Sequence, residues 1–395
     1  MGNRRWSHPS VRTGADQLHE AAKTVFAGAR VGLVTCAAAV NSQFVSTVDS
    51  CAELKDAELT AMFACEHGIR GERQAGVLFG DETDPRLGIP VFSLYGETKK
   101  PTEAMLAHVD AVLFDIQDIG VRFFTYLATL AYVMEACAHS GKTLILLDRP
   151  NPFGGFCCEG GKLAPGFESF VGIAPIPFRT GMTIGEFALY MNDRLERKCD
   201  LKVIKLQGWR RTMEFDETGL PWVSTSPNTP TLDSCRVYPG TCLFEGTNVS
   251  EGRGTTRPFE MIGAPWLDGG RLAREMNGLR LPGVHFQPVY FTPAFSKHQG
   301  ELCSGVQLYV TDKETFRSVE TGLRLVHQVS KHDVERFAWI PPFKEGRKHF
   351  IDYLTGSDLV RTMVQDEAGM ETIVRLWNED AKDWRREREP YLIYN

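Results

Sequence analysis

The sequence lacks the short signatures that settle a protein's chemistry at a glance. None of its ten cysteines forms a Cys-x-x-Cys pair and only Cys157 and Cys158 adjoin. That argues against a zinc site or a redox dithiol and for free thiols in a reducing compartment. No apolar run approaches the roughly 20 residues of a membrane-spanning helix. No basic block stands out in a chain of net charge −6, so nucleic acid is not an expected partner. Arg4-Arg5 stands near the start but no apolar segment follows it. The expectation is therefore a cytoplasmic protein as the sequence stands, periplasmic or secreted if a leader was removed. Internal repeats and low-complexity tracts are also missing.

The cofactor motifs are absent too. Thr35-Cys36-Ala37-Ala38-Ala39 follows the first apolar segment where dinucleotide binding needs GxGxxG. Gly252-Arg253-Gly254-Thr255-Thr256 lacks the lysine of a phosphate loop. There is no GxSxG nucleophile elbow. Glu66, His67, Asp115 and Asp118 do not have the spacing of an HExxH metal motif. Neither a cofactor nor a metal is expected.

What is present is a chain of 395 residues, 43% hydrophobic and 24% charged, a globular composition too long for one ordinary core. Short apolar segments read as buried strands at Arg30–Thr35, Leu59–Ala64, Pro90–Tyr95, Ala111–Ile116, Thr143–Asp148 and Leu201–Leu206. Helical patterns lie between them, the longest over Thr125–Ser140, and Thr183-Ile184-Gly185-Glu186 is a capping box. Continuous apolar strands alternating with helices predict a Rossmann-like α/β domain with a parallel sheet covered on both faces. Its limits are set at 1–235, with a smaller α+β C-terminal domain over 236–395. In the latter, Tyr238-Pro239-Gly240 onward reads as a long irregular segment, with helices over Asp268–Asn277 and Thr315–Val329 and a strand over Cys303–Val310.

In such sheets ligands bind outside the carboxyl ends of the strands. Glu66, Asp115 with Asp118, and Asp148-Arg149 all fall at those ends, although acidic residues there also cap turns. The stretch Cys65-Glu66-His67-Gly68-Ile69-Arg70-Gly71 is the focus, an acid, an imidazole and a guanidinium between glycines. Glu66 leads the candidate acids, ahead of Asp115, Asp118, Glu159, Glu245 and Glu251. Carboxylates with aromatics and guanidiniums suit glycoside cleavage, in which one carboxyl protonates the leaving oxygen and a second assists water or the cationic sugar.

Several long stretches carry a resemblance. They are Glu66-His67-Gly68-Ile69-Arg70-Gly71, Asp115-Ile116-Gln117-Asp118-Ile119-Gly120-Val121-Arg122-Phe123-Phe124-Thr125-Tyr126, Leu147-Asp148-Arg149-Pro150-Asn151-Pro152, Ser226-Pro227-Asn228 and the run from Phe244 to Thr256. Together they resemble the exo-β-N-acetylmuramidase family of the NamZ type, and the likeness extends from about Gly32 to Tyr394. The resemblance implies a Rossmann-like domain, a smaller C-terminal domain and an active site in the cleft between them. It implies release of N-acetylmuramic acid from the non-reducing end of peptidoglycan fragments or a muramyl disaccharide, with Glu66 as the acid. The second carboxylate stays open, with Glu159 ranked ahead of Asp115 and Glu251. Substrate-binding candidates are His67, Arg70, Asp118, Arg122, Tyr126, Asp148, Arg149, Asn248, Glu251 and Arg253. An arginine fork from Arg70, Arg122, Arg149 or Arg253 would recognise the lactyl carboxylate of the sugar. Thr180 departs from the expected pattern, which has histidine there. The alternatives are a non-catalytic sugar-binding protein and a hydrolase of a related glycoside.

Overall fold

The computed structural model describes residues 10–395, and Arg4-Arg5 lie outside the described residues. The apolar segments form a seven-stranded sheet from β1 (Arg30–Thr35), β2 (Glu58–Ala64), β3 (Glu82–Thr83), β4 (Pro90–Ser93), β5 (Ala111–Asp115), β6 (Thr143–Leu147) and β7 (Leu201–Ile204). Their order is β3-β4-β2-β1-β5-β6-β7, parallel except for the short edge strand β3. β1 and β5 are buried almost throughout, which is why their sequences show no polar alternation. The chain adds β2 on one side of β1 and later β5 on the other. The point where the winding reverses thus lies beside the loops that follow β2 and β5.

Helices cover the sheet: α1 (Leu18–Thr24), α2 (Thr47–Ala52), α3 (Glu103–Leu106), α4 (Tyr126–Ser140) and α5 (Ile184–Asn192). Gly141 ends α4 in the left-handed conformation and both hydrogen bonds of the Thr183–Glu186 capping box form at α5. The smaller domain has a three-stranded antiparallel sheet, β8 (Met261–Ala264), β9 (Val284–Phe291) and β10 (Cys303–Val310), in the order β8-β10-β9. Around it pack α6 (Leu232–Thr241), α7 (Gly269–Gly278), α8 (Ser318–His332), α9 (Phe350–Thr355), α10 (Leu359–Met363) and α11 (Glu367–Glu387). Residue 235 falls inside α6. Among the described residues no helix is long and apolar enough to cross a membrane.

Among the features that differ from the sequence reading, two bear on how the helices pack. Tyr238-Pro239-Gly240 is helical, not irregular, and lies within α6. A Pro-Gly pair reads as a helix breaker, yet here Gly240 is the point where α6 meets Gly322 of α8 backbone to backbone. The 21-residue α11 also went unread. It leaves the smaller domain and packs on the first: Trp377 meets Phe178 with ring centroids 4.8 Å apart, and Trp384 meets Tyr190 at 5.0 Å. The Trp384 indole N–H donates to the Thr180 carbonyl at 2.8 Å. Thr180 is buried and serves this helix.

The α6–α8 crossing makes a clear stability prediction. A methyl group on Gly322 would overlap the Gly240 backbone, which cannot swing aside as a flexible side chain would. Gly322→Ala is expected to cost about 1–3 kcal/mol, read as a lower urea midpoint with an unchanged slope. An unshifted midpoint would mean that the helices separate freely.

Candidate active site

Between the carboxyl edge of the large sheet and the smaller domain lies a cavity of about 730 Å³. The turn after β2 supplies its central acid. His67 and Gly68 both take positive φ, 76° and 77°, and a Cβ at Gly68 would run into the Glu72 carboxylate. This sharp turn holds Glu66 at the cavity wall, where it is only 9% exposed. One carboxylate oxygen of Glu66 accepts from the Gly76 backbone N–H at 3.0 Å and the other from the Thr125 hydroxyl at 2.7 Å. Thr125 immediately precedes α4, so helix and turn converge on one carboxyl. The Tyr95 phenol lies beside Glu66, and burial, with the charges of Glu66 and Glu245, pushes its ionisation upward.

His67 lines the same wall. Its Nδ1 lies 3.0 Å from the Arg73 carbonyl, which can only accept, so Nδ1 carries the hydrogen. Burial, assisted by Arg253 and opposed by Glu66, lowers the imidazole's affinity for a second proton. The neutral ring keeps Nε2 as an acceptor.

The opposite wall comes from the smaller domain. Arg253 pairs with Glu245 and, at 3.2 Å, with Glu251. Lys297 reaches Glu251 at 2.8 Å and the carbonyls of Phe244 and Val249 at 2.7 and 3.1 Å. Burial resists a charge on Glu251, but Lys297 and Arg253 outweigh it and hold the carboxyl below its usual range. Phe124 meets Tyr126 and Tyr238 edge-on, and Tyr238 meets Phe259 edge-on at 4.7 Å, so an aromatic floor joins the domains.

Glu66, His67, Tyr126, Glu251 and Arg253 therefore share one cavity. Tyr126 is buried in its floor, with its hydroxyl donating to the Thr225 carbonyl at 2.7 Å. The other candidates lie elsewhere, and each has a structural task. Asp115 and Arg149 form a buried two-pronged ion pair, at 2.5 and 2.8 Å. Asp148 accepts from Thr183, Gly185 and Tyr394. Glu159 pairs with Arg179 at 2.7 Å and accepts from the Val319 N–H at the start of α8. Arg122 is buried and donates to the carbonyls of Gly161, Ile176 and Leu354. Arg70 pairs with Asp84 at 2.5 Å, and Asn248 bridges to Arg336 and Ala338. Of the four arginines considered for a carboxylate fork, only Arg253 reaches the cavity, already engaged by two glutamates.

Sequence reasoning missed Lys99, Phe170, Phe295 and Phe343, which also line the cavity. Phe343 is 82% exposed and follows Pro341-Pro342, and an exposed aromatic in a proline-led loop was a usable signal.

Carboxylates on facing walls with aromatic surfaces between them are the equipment of a glycoside hydrolase. Family models described as the N-terminal and C-terminal parts of exo-β-N-acetylmuramidase NamZ match residues 31–233 and 236–394, and the chain belongs to that glycoside hydrolase family. It is 47% identical to the peptidoglycan β-N-acetylmuramidase NamZ of Bacillus subtilis over 392 residues, 99% of this chain and 93% of that protein. Crystal structures of two proteins of unknown-function family DUF1343 from Bacteroides fragilis are also similar. One has a TM-score of 0.90 at 35% identity, covering 98% of this chain and all of the other. The second has a TM-score of 0.78 at 30% identity, covering 98% and 99%.

Asp118 offers a test of the buried electrostatics. One of its oxygens accepts from the Gly120 N–H, the other has no partner among the described residues, and burial pushes the carboxyl from 3.8 up to about 7. The unfolded chain releases this proton near 3.8 and the folded protein only near 7, so Asp118 opposes folding increasingly as pH rises between those values. Asp118→Asn is expected to flatten the fall in stability from about pH 4 to 7 in denaturant titrations. An unchanged slope would show that the carboxyl is not held neutral.

Proposed function

We propose that this protein is an exo-β-N-acetylmuramidase that releases N-acetylmuramic acid from the non-reducing end of peptidoglycan-derived fragments, with Glu66 as general acid. The observation that carries this reading is the setting of Glu66. It is held by Gly76 and Thr125 in a cavity whose far wall presents Glu245, Glu251 and Arg253. A hydroxyl both donates and accepts, so the Thr125 contact serves Glu66 with or without its proton.

In the reaction Glu66 gives its proton to the glycosidic oxygen, the bond to the anomeric carbon breaks, and the sugar passes through an oxocarbenium-like state. Water then bonds to that carbon, and the proton it gives up restores the acid form of Glu66. Glu159 and Asp115 sit outside the cavity in structural pairs, so we assign the second carboxylate role to the Glu245–Glu251 wall. Glu251, kept ionised by Lys297 and Arg253, supplies negative charge opposite the developing cation. His67 Nε2 is suited to accept from a sugar hydroxyl. In this reading the division at residue 235 separates the domain bearing Glu66 from the domain bearing the opposing carboxylates.

The test is hydrolysis of para-nitrophenyl β-N-acetylmuraminide beside the β-N-acetylglucosaminide. Wild-type protein is expected to cleave the muraminide, and Glu66→Gln to lower kcat by about 10²- to 10⁴-fold with the melting temperature retained. Turnover undiminished in Glu66→Gln would remove Glu66 from the role. A wild type that binds but cleaves neither compound would make the protein a sugar-binding module.

A further inference from the structure

Three cations line the cavity from lysine and arginine side chains: Arg253, Lys297 and Lys99. Two are committed. Arg253 is shared between Glu245 and Glu251, and Lys297 spends its donors on Glu251 and two carbonyls. Lys99 differs. Among the described residues it makes no ion pair and no hydrogen bond, and the carboxylate whose charge acts on it is that of Glu66. It is held by aromatic faces instead, its ammonium 3.8 Å from the ring centre of Phe170 and 4.9 Å from that of Tyr95.

That arrangement has a chemical consequence. A ring face fixes the position of an ammonium group but accepts none of its N–H bonds in the strong, directed way an oxygen does. Lys99 is half-buried, so its charge is partly stripped of water, and only the charge of Glu66, outside ion-pair distance, offsets that loss. The free energy so withheld is recovered when an anion enters. Tyr95 links this cation to the acid, for its phenol lies against Glu66 while its ring lies under Lys99. A sugar presenting its glycosidic oxygen to Glu66 therefore has Lys99 one aromatic ring away.

We infer that Lys99, seated on Phe170 and Tyr95, is the specificity-determining cation that binds the carboxylate of an acidic sugar in this cavity. The inference rests on the function proposed above, in which that group is the 3-O-lactyl carboxylate of N-acetylmuramic acid. It moves the recognition of the acid from an arginine fork to a single lysine, a point charge that tolerates rotation of a flexible ether-linked group. Phe170 and Tyr95 become the wall along which that arm lies.

Steady-state kinetics of wild type, Lys99→Met and Lys99→Arg test this on three para-nitrophenyl glycosides: the free-acid muraminide, its lactyl methyl ester and the glucosaminide. Methionine keeps the length and apolar contact of the stem while removing the charge. Wild type is expected to prefer the free acid over the ester. Lys99→Met should raise KM for the free acid by about 10- to 100-fold, with a smaller change in kcat and with the preference over the ester lost. Lys99→Arg should restore most of that preference, which a merely structural lysine would not require. A free-acid preference retained in Lys99→Met would overturn the inference, as would equal use of acid and ester by wild type, and both outcomes leave the muramidase reading standing. Failure of wild type to cleave either muraminide would sink that reading and the inference with it.

Discussion

A buried guanidinium holds this molecule together. Arg122 lies in the loop after β5, is 1% exposed and makes no direct ion pair among the described residues, although the charge of Asp380 acts on it. Its charge is met by the carbonyls of Gly161 and Ile176 in the first domain and Leu354 in the second, each at 2.8 Å, and by the face of Phe178. A buried cation whose hydrogen bonds go only to carbonyls costs several kcal/mol unless those carbonyls stay in place. The two domains are thus tied by a contact that tolerates little relative movement. Phe123, Phe124 and Thr125 follow directly, so the floor of the cavity and the residue that holds Glu66 inherit that rigidity.

Around this anchor the charges sort into two populations. Asp115, Asp148 and Glu159 are deeply buried and fully engaged with partners of fixed geometry, and they organise loops and helix starts. Two of the cavity charges differ from these: Glu66 is held by neutral donors and Lys99 rests on rings, whereas Glu251 is ion-paired to both Arg253 and Lys297. Reactive groups in enzymes need a partner that positions them without consuming them, and neutral donors and aromatic faces provide this.

Much of the architecture was readable because parallel strands buried on both faces leave continuous apolar runs, and all the runs marked in the first domain became strands. β9 escaped because its exposed positions outnumber its buried ones, as suits an edge strand. The Glu66 turn was legible from the Glu-His-Gly cluster after a strand. The tasks of the loop arginines were not, for a physical reason: a loop guanidinium has the same sequence appearance whether it grips substrate or backbone. Arg122 and Arg149 grip the protein itself. Only the burial of Arg122, and the carboxylate facing Arg149, distinguish the two cases. Lys99 carried no signal at all, since its role depends on Tyr95 and Phe170, which lie far apart in the chain.

The return of α11 to the first domain bears on how the protein is made. Trp384 fills a fully buried site against Tyr190, Ile393 donates to Glu186, the Asn395 carbonyl accepts from the Arg211 N–H, and Tyr394 donates to Asp148 at the carboxyl end of β6. Domains usually fold in the order in which they leave the ribosome. Here the first-made domain cannot close its own core until residues 384–395 have been synthesised. The face of α5 around Tyr190 and Glu186 stays uncovered through the translation of the second domain. Vectorial synthesis and final packing thus run in opposite orders, with Asp148 and Glu186 lacking some of their partners until Tyr394 and Ile393 have been made.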